Sequence, residues 1–137
     1  MGRIIGEGVK NQLILRDQFS GEPIILYYRI PTSEERIAYE SAKYRRDKDK
    51  VEIKLTEARQ IWGEKILEGF KDGSFKFKLA GEIKEISSDS DSPNYEAGWK
   101  DLLKKYAADT LEILAEHAFD GVRAISTQEE NFTQKNS

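Results

Sequence analysis

Residues that commonly carry catalysis or bind metals are sparse in this sequence. His117 is the one histidine, and the lack of cysteine excludes a thiolate nucleophile and a thiolate metal site. His117 lies in "LAEHAF", near the end of an apolar helical pattern, where a histidine interacts favourably with the negative end of the helix dipole. No nucleophile elbow or other local catalytic signature accompanies it. We therefore predict a protein without enzymatic activity and without a cofactor.

Three acidic residues, Asp89, Asp91 and Glu96, are the best candidates for a metal site, because carboxylates bind calcium. An EF-hand loop that began at Asp89 would need a glycine and a glutamate where this sequence has Asn94 and Lys100. We predict a solvated acidic loop and no metal.

Basic residues lie beside tyrosines in the stretch around residues 43–50. Positive charge with aromatic rings is the combination that binds single-stranded nucleic acids, and the residues concerned are Tyr39, Lys43, Tyr44, Arg45, Arg46, Lys48 and Lys50. Asp47 and Asp49 interrupt this charge, the net charge is −3, and the isoelectric point is about 5.4. We predict an exposed helix surface here and do not expect a nucleic-acid partner.

The segment "YYRIPTSEERIAYE", residues 27–40, links the first strands to the first helix. Two runs, 9–15 and 24–30, are rich in branched and aromatic residues, and the turn residues between them predict a β-hairpin. Pro31 ends the second strand, and Thr32 with Glu35 forms a capping box that starts a helix. Arg29, on the strand, is expected to pair with Glu34 or Glu35.

Helical periodicity dominates the rest of the chain. We predict helix from Ser33, a kink or solvated stretch at 43–50, and an amphipathic helix from Val51 that ends near Gly73. "VEIKL" at 51–55 also alternates as a strand would, but helix is preferred because no turn separates it from the helical pattern that follows. Residues 75–79 suit a short strand or extended arm, and a last helix is predicted from Ser92–Pro93 to Gly121.

These elements predict an α+β fold, mainly α-helical, with an N-terminal β-hairpin packed on two or three amphipathic helices. The length of 137 residues suits one domain, predicted as 1–122, with a mobile acidic loop at about 84–93 and a disordered tail at 123–137. The sequence shows neither a signal peptide nor an apolar run long enough to span a bilayer, so we expect a cytoplasmic protein and no membrane partner.

Candidate partner contacts lie on the second strand and beyond it. Adjacent strand residues point to opposite faces, so at most one of Tyr27 and Tyr28 fills the core, and the edges of a two-stranded hairpin are open to another chain. Protein partners are therefore expected, and either a homo-oligomer or a strand of a client protein could close these edges. The residues that we select as partner contacts are Tyr27, Tyr28, Arg29, Tyr39, Arg45 and Arg46.

Three stretches in this order carry a family resemblance: "YYRIPTSEERIAYE", "GEKILEGFKDGSF" and "YEAGWKDLLKKYAADTLEILAEHAF". Over residues 24–120 the chain resembles small proteins of phage and prophage tail gene modules, in particular tail assembly chaperones. The matching positions are Arg29, Pro31, Thr32, Glu35, Arg36, Tyr39, Ile66, Leu67, Gly69, Phe70, Trp99 and Leu102.

The resemblance implies a non-enzymatic role in a bacterial host cell. Tail assembly chaperones bind the apolar tape-measure protein and help to recruit tail-tube subunits, so the implied partner is a tape-measure or tail-tube-like protein. Two alternatives stay open at this point: a virion structural subunit, such as a tail terminator or connector that forms an oligomeric ring, and a small nucleic-acid-binding or regulatory protein.

Overall fold

The chain contains both strands and helices in a computed structural model. The structure describes Gly2, residues 10–47 and residues 50–121, and it does not describe the side chains of residues 45–53. In chain order these elements are β1 (Asn11–Arg16), β2 (Pro23–Tyr28), α1 (Ser33–Ala42), β3 (Tyr44–Asp47), β4 (Lys50–Ile53), α2 (Leu55–Ile66), β5 (Leu67–Phe70), β6 (Lys76–Leu79), β7 (Glu82–Glu85), α3 (Trp99–Tyr106) and α4 (Ala108–Phe119). The predicted α+β class and the N-terminal hairpin followed by helices are confirmed. The predicted tail, 123–137, lies outside the described residues.

The predicted hairpin is one half of a three-stranded antiparallel sheet with the order β1-β2-β5. Ile24, Leu26 and Tyr28 alternate inward and are buried, while Ile25 and Tyr27 face outward and are half-buried, as the period of two predicts. One face of the sheet therefore belongs to the core, and the other stays partly apolar.

The predicted switch from strand to helix at Pro31 and Thr32 is also confirmed. The Thr32 hydroxyl accepts a hydrogen bond from the Glu35 amide at 3.2 Å, and the Glu35 carboxylate accepts one from the Thr32 amide at 3.0 Å. This reciprocal capping box satisfies two backbone donors that the first turn of α1 would otherwise leave unpaired.

The prediction of helix from Val51 is wrong, and so is that of a kinked or solvated stretch at 43–50. β3 and β4 pair antiparallel, from Tyr44 opposite Ile53 to Asp47 opposite Lys50, and α2 begins only at Leu55. Val51 and Ile53 are β-branched residues that favour extended backbone, and their alternation predicts the observed strand where the helical spacing predicted a helix.

The end of α2 also differs from the prediction. The helix stops at Ile66, and Leu67 turns into the extended conformation of β5, so the residues up to Phe70 form a strand instead of the last helical turn. An apolar run as short as this one fits either period, and pairing with β2 decides for the strand.

The predicted last helix is shorter and is divided into two. Residues 92–98 form a loop, α3 begins at Trp99, and a break at Ala107 separates α3 from α4. The Thr110 hydroxyl donates to the Ala107 carbonyl at 2.6 Å, and the Thr110 amide donates to the same carbonyl at 3.0 Å, so Thr110 holds the first turn of α4 at the break.

The core lies between the inner face of the sheet and the helices, with α2 packed on α4. Phe119 stacks on Tyr39 with ring centroids 4.3 Å apart and meets Trp62 edge-on at 5.8 Å. Arg36 of α1 donates to the carbonyls of Phe119 at 2.7 Å and Ala118 at 3.2 Å. This arginine therefore ties α1 to the end of α4 by binding carbonyls that a helix C-terminus leaves free.

Candidate protein-binding surfaces

The residues selected from the sequence as partner contacts do not form one surface. Tyr28 is 6% exposed and Tyr39 is fully buried, so both belong to the core. The expectation that Tyr39 lies on an exposed helix surface is wrong, because its ring stacks on Phe119 inside the molecule. Arg45 and Arg46 lie in β3, but their side chains are outside the description.

Arg29 has an intramolecular partner. Its guanidinium donates to both carboxylate oxygens of Glu35, at 2.6 and 2.8 Å, in the bidentate geometry that suits arginine and carboxylate. These hydrogen bonds from Arg29, together with those of the capping box, lower the pKa of Glu35 from 4.5 to about 2. The expected pairing with Glu35 is thus confirmed, and the ion pair with Arg29 stabilises the first turn of α1.

Tyr27 is the one selected tyrosine on the outer face of the sheet. It lies opposite Gln12 of β1 and Gly69 of β5, and the ammonium group of Lys10 is 5.7 Å from its ring centroid. Ile14 lies opposite Ile25 on the same face and is 64% exposed. An apolar strip therefore crosses the outer face of β1 and β2.

The residues considered for catalysis and metal binding, His117 and the acidic residues at 89–96, make contacts within the fold. Among the side chains that the structure describes, those of residues 10–44 and 54–121, no three from histidine and acidic residues are grouped so that they could hold a metal ion. His117 meets the ring of Tyr28 edge-on at 5.8 Å, and the Asp89 carboxylate accepts a hydrogen bond from the Asp91 amide at 3.0 Å. No helix in the described part of the chain is long and apolar enough to cross a membrane.

A second apolar surface surrounds the hairpin of β6 and β7, which form their own two-stranded sheet. Ala80 and Gly81 connect the strands, and both have positive φ, 53° and 81°, as a tight two-residue hairpin turn requires. Leu79, on the same face as half-buried Phe77, is 66% exposed, and Ile83, on the opposite face, is 69% exposed. A single exposed apolar residue is common on protein surfaces, so Leu79 is of interest because other apolar residues adjoin it.

A groove of about 370 Å³ separates this hairpin from the loop before α3. We call it the hairpin groove and define it by its apolar lining: Phe77, Leu79, Ile86, Pro93, Tyr95 and Leu102. Lys84, Glu85 and Glu96 add charges of both signs to its lining. An apolar cleft with a few charged groups is the usual form of a site that accepts apolar side chains of a ligand or partner.

Ser87 fixes the wall of the groove that carries Tyr95. Its amide donates to the Asn94 carbonyl at 3.0 Å, its carbonyl accepts from the Glu96 amide at 3.0 Å, and its buried hydroxyl donates to the Asp72 carboxylate. The opposite wall is held by Phe75, whose carbonyl accepts from the Ile86 amide and whose ring meets Phe70 edge-on at 4.9 Å. The groove is therefore part of the folded chain and needs no partner to form.

The wall of this groove formed by β6 was predicted from the sequence, and the wall formed by the loop at Tyr95 was not. The alternation of Phe75, Phe77 and Leu79 predicted a strand or arm, but Tyr95 was expected on the apolar stripe of a helix. A signal was present in Pro93 and the polar residues before it, which favour a loop as well as a helix start.

No protein-family model matches the chain, and no match was found among curated proteins or among solved structures.

Proposed function

We propose that this chain is a non-enzymatic protein that binds an apolar segment of another protein in the hairpin groove. Following the resemblance to tail-module proteins, we propose that it is a tail assembly chaperone and that its client is a tape-measure-like protein in the cytoplasm of a bacterial host cell. The observation that carries the proposal is the exposed apolar lining of a preformed groove, in which Leu79 is 66% and Tyr95 43% exposed.

The chemistry of the groove suits such a client. Burying a fully exposed leucine side chain contributes about 1.5–3 kcal/mol, so covering Leu79, of which 66% is exposed, contributes about two thirds of that, and Tyr95 and the half-buried groove residues add smaller shares. Apolar anchors of an amphipathic helix enter grooves of this kind, and the charges of Lys84 and Glu96 would orient the flanking polar residues of the client. A tape-measure protein is long and apolar and offers such segments.

The test is co-expression with a tagged segment of a tape-measure-like protein, followed by pull-down and size-exclusion chromatography with light scattering. Leu79→Gln places an amide in the groove in place of apolar surface, and we expect it to weaken the complex at least about tenfold, because an amide buried without a hydrogen-bond partner opposes binding. Ile83→Gln is the matched control, since Ile83 is as exposed as Leu79 but lies on the other face of the hairpin, and neither variant changes the charge of the hairpin.

Both variants are expected to keep the thermal unfolding midpoint of the parent chain, because each side chain is mainly in solvent. A complex that survives Leu79→Gln, or that Ile83→Gln weakens equally, would show that the groove is not the client site. A client that stays insoluble with the parent chain would count against the chaperone function itself.

One observation favours the virion structural subunit as a second candidate. The outer edge of β1 is open among the described residues, and an open edge suits a subunit that joins others. Retention of the protein in purified particles would favour this candidate, and its absence from finished particles would favour the chaperone.

A further inference from the structure

The two edge strands of the three-stranded sheet differ in whether their outward backbone groups already have hydrogen-bond partners. At β5 the Ser88 hydroxyl accepts from the Phe70 amide at 2.9 Å and donates to the Phe70 carbonyl at 3.2 Å, so a side chain stands where another strand would pair. At β1 no strand of the described residues pairs with the outer side. We call that side, Asn11–Arg16, the β1 edge.

The backbone of the β1 edge has groups ready to pair. Ile14 lies opposite Ile25, whose amide donates to the Ser74 hydroxyl and whose carbonyl accepts from the Lys71 amide, both on the β5 side. Two residues that lie opposite each other in an antiparallel pair either exchange both backbone hydrogen bonds or exchange none. Because the amide and carbonyl of Ile25 point towards β5, Ile14 and Ile25 exchange none. The amide and carbonyl of Ile14, and by the same alternation those of Gln12 and Arg16, therefore face outward.

Devices that natural proteins use to protect an edge are missing along most of this strand. No charged residue, proline or bulge interrupts Asn11 to Leu15. Leu13 and Leu15 point to the core side and are only half-buried there, and Ile14 is 64% exposed on the outer side. A strand added at this edge would cover apolar surface on both faces of the sheet.

We propose that the β1 edge pairs with the β1 edge of a second copy of this chain, antiparallel and centred on Ile14, which joins the two sheets into one of six strands. In this register Ile14 lies opposite itself, Leu13 lies opposite Leu15 of the other copy, and Gln12 lies opposite Arg16. Each of these pairs keeps core-side residues with core-side residues and solvent-side residues with solvent-side residues.

Charge and polarity favour the register centred on Ile14 over the two registers that are shifted by one residue. Centring the pair on Leu13 sets Lys10 opposite Arg16, which are like charges, and centring it on Leu15 sets Ile14 opposite Arg16 and Leu13 opposite Asp17. The register centred on Ile14 has no such conflict. The β1 edge is therefore complementary to itself, which is why a second copy is the occupant that we assign to it and why the pairing closes as a two-fold dimer.

The test measures the oligomeric state of the full chain by sedimentation velocity over a range of concentrations. We expect a dimer, and Ile14→Lys should raise its dissociation constant at least about tenfold because two ammonium groups would meet across the two-fold axis. Ile37→Lys is the matched control, because Ile37 is 69% exposed on α1. A monomer at every concentration, or a dimer that Ile14→Lys leaves intact, would overturn the proposal.

The register has its own test. Gln12→Lys should weaken the dimer by setting a lysine opposite Arg16, and adding Arg16→Glu should restore it through an opposite-charge pair. A double variant as weak as Gln12→Lys alone would contradict the pairing. Because the groove and the β1 edge share no residue, Ile14→Lys should leave client capture unchanged, so failure of the dimer and failure of the proposed function can be told apart.

Discussion

Gly63 offers a sharp test of how α2 packs on α4. A Cβ at this position would lie 2.8 Å from the carbonyl carbon of Leu111 and closer still to its oxygen, whereas ordinary contact begins at 3.4 Å. The obstacle is backbone, so no side-chain rotation can relieve it. In Gly63→Ala the two helices must therefore separate by more than the 0.6 Å between these values, because the Leu111 oxygen lies nearer than the carbon, and this separation occurs where α2 packs on α4.

The expected magnitude follows from two opposing effects. Overpacking a close contact costs about 1–3 kcal/mol, and replacing a helical glycine by alanine returns about 1 kcal/mol through helix propensity. Because the backbone of α4 must move, we expect the upper part of the first range and a net loss of about 1–2 kcal/mol. For a domain of this size, that loss lowers the unfolding midpoint by roughly 3–7 °C.

Calorimetry and urea unfolding of Gly63→Ala would measure this change. Thr56→Ala, on the exposed side of α2, is the control for helix propensity and should leave the midpoint unchanged or raise it slightly. A Gly63→Ala variant as stable as the parent chain would refute the reasoning, because it would mean that α2 and α4 do not meet backbone to backbone at this point.

Two further predictions concern the polar contacts of α1. The pKa of Glu35 in the folded chain is about 2, below its ordinary 4.5, so its contribution is present above pH 4.5 and disappears as the pH falls towards 2. Glu35→Gln should therefore be less stable than the parent by about 1 kcal/mol at neutral pH, with a gap that closes in acid; a gap independent of pH, measured by thermal unfolding, would contradict the pairing with Arg29. Arg36→Ala should lose about 1–2 kcal/mol and speed amide exchange in the last turn of α4, with partial recovery in Arg36→Lys, whereas unchanged exchange would exclude a capping role for Arg36.

Local rules predicted the parts of the fold that local interactions specify. The capping box of Thr32 and Glu35 needs only residues three positions apart, and Pro31 ends a strand wherever it occurs. The alternation likewise places Ile24, Leu26 and Tyr28 on one face of the strand, but only the structure shows that this face is the buried one. These features were therefore readable from the sequence.

The errors occur where tertiary pairing decides between two allowed periods. Leu67 and Phe70 continue the helical spacing of α2 as well as they fit a strand, and only the partner β2 makes the strand favourable. Tyr39 was expected at the surface because it stands beside charged residues in the sequence. Its burial depends on Phe119, which is eighty positions away in the chain and stacks on its ring.

The candidate surfaces were only partly predictable for the same reason. Alternation alone places Tyr27 and Tyr28 on opposite faces of the sheet without saying which one is outside, and the hairpin groove requires the loop at Tyr95 to lie beside β6 and β7. That placement depends on the backbone hydrogen bonds of Ser87 to Asn94 and Glu96, contacts between polar residues that carry no hydrophobic period.

Two consecutive serines link the two proposals physically. Ser88 occupies the hydrogen-bonding groups of Phe70 and closes the β5 edge, while Ser87 holds the loop that forms one wall of the hairpin groove. The same segment thus removes one edge from strand pairing and builds an apolar cleft beside it. The β1 edge, at the other side of the sheet, has no such segment among the described residues and keeps its outward amides and carbonyls. Because β1 and β5 are the two opposite edges of the sheet and the groove shares no residue with β1, we expect that a second copy paired at β1 leaves the groove open to an apolar client.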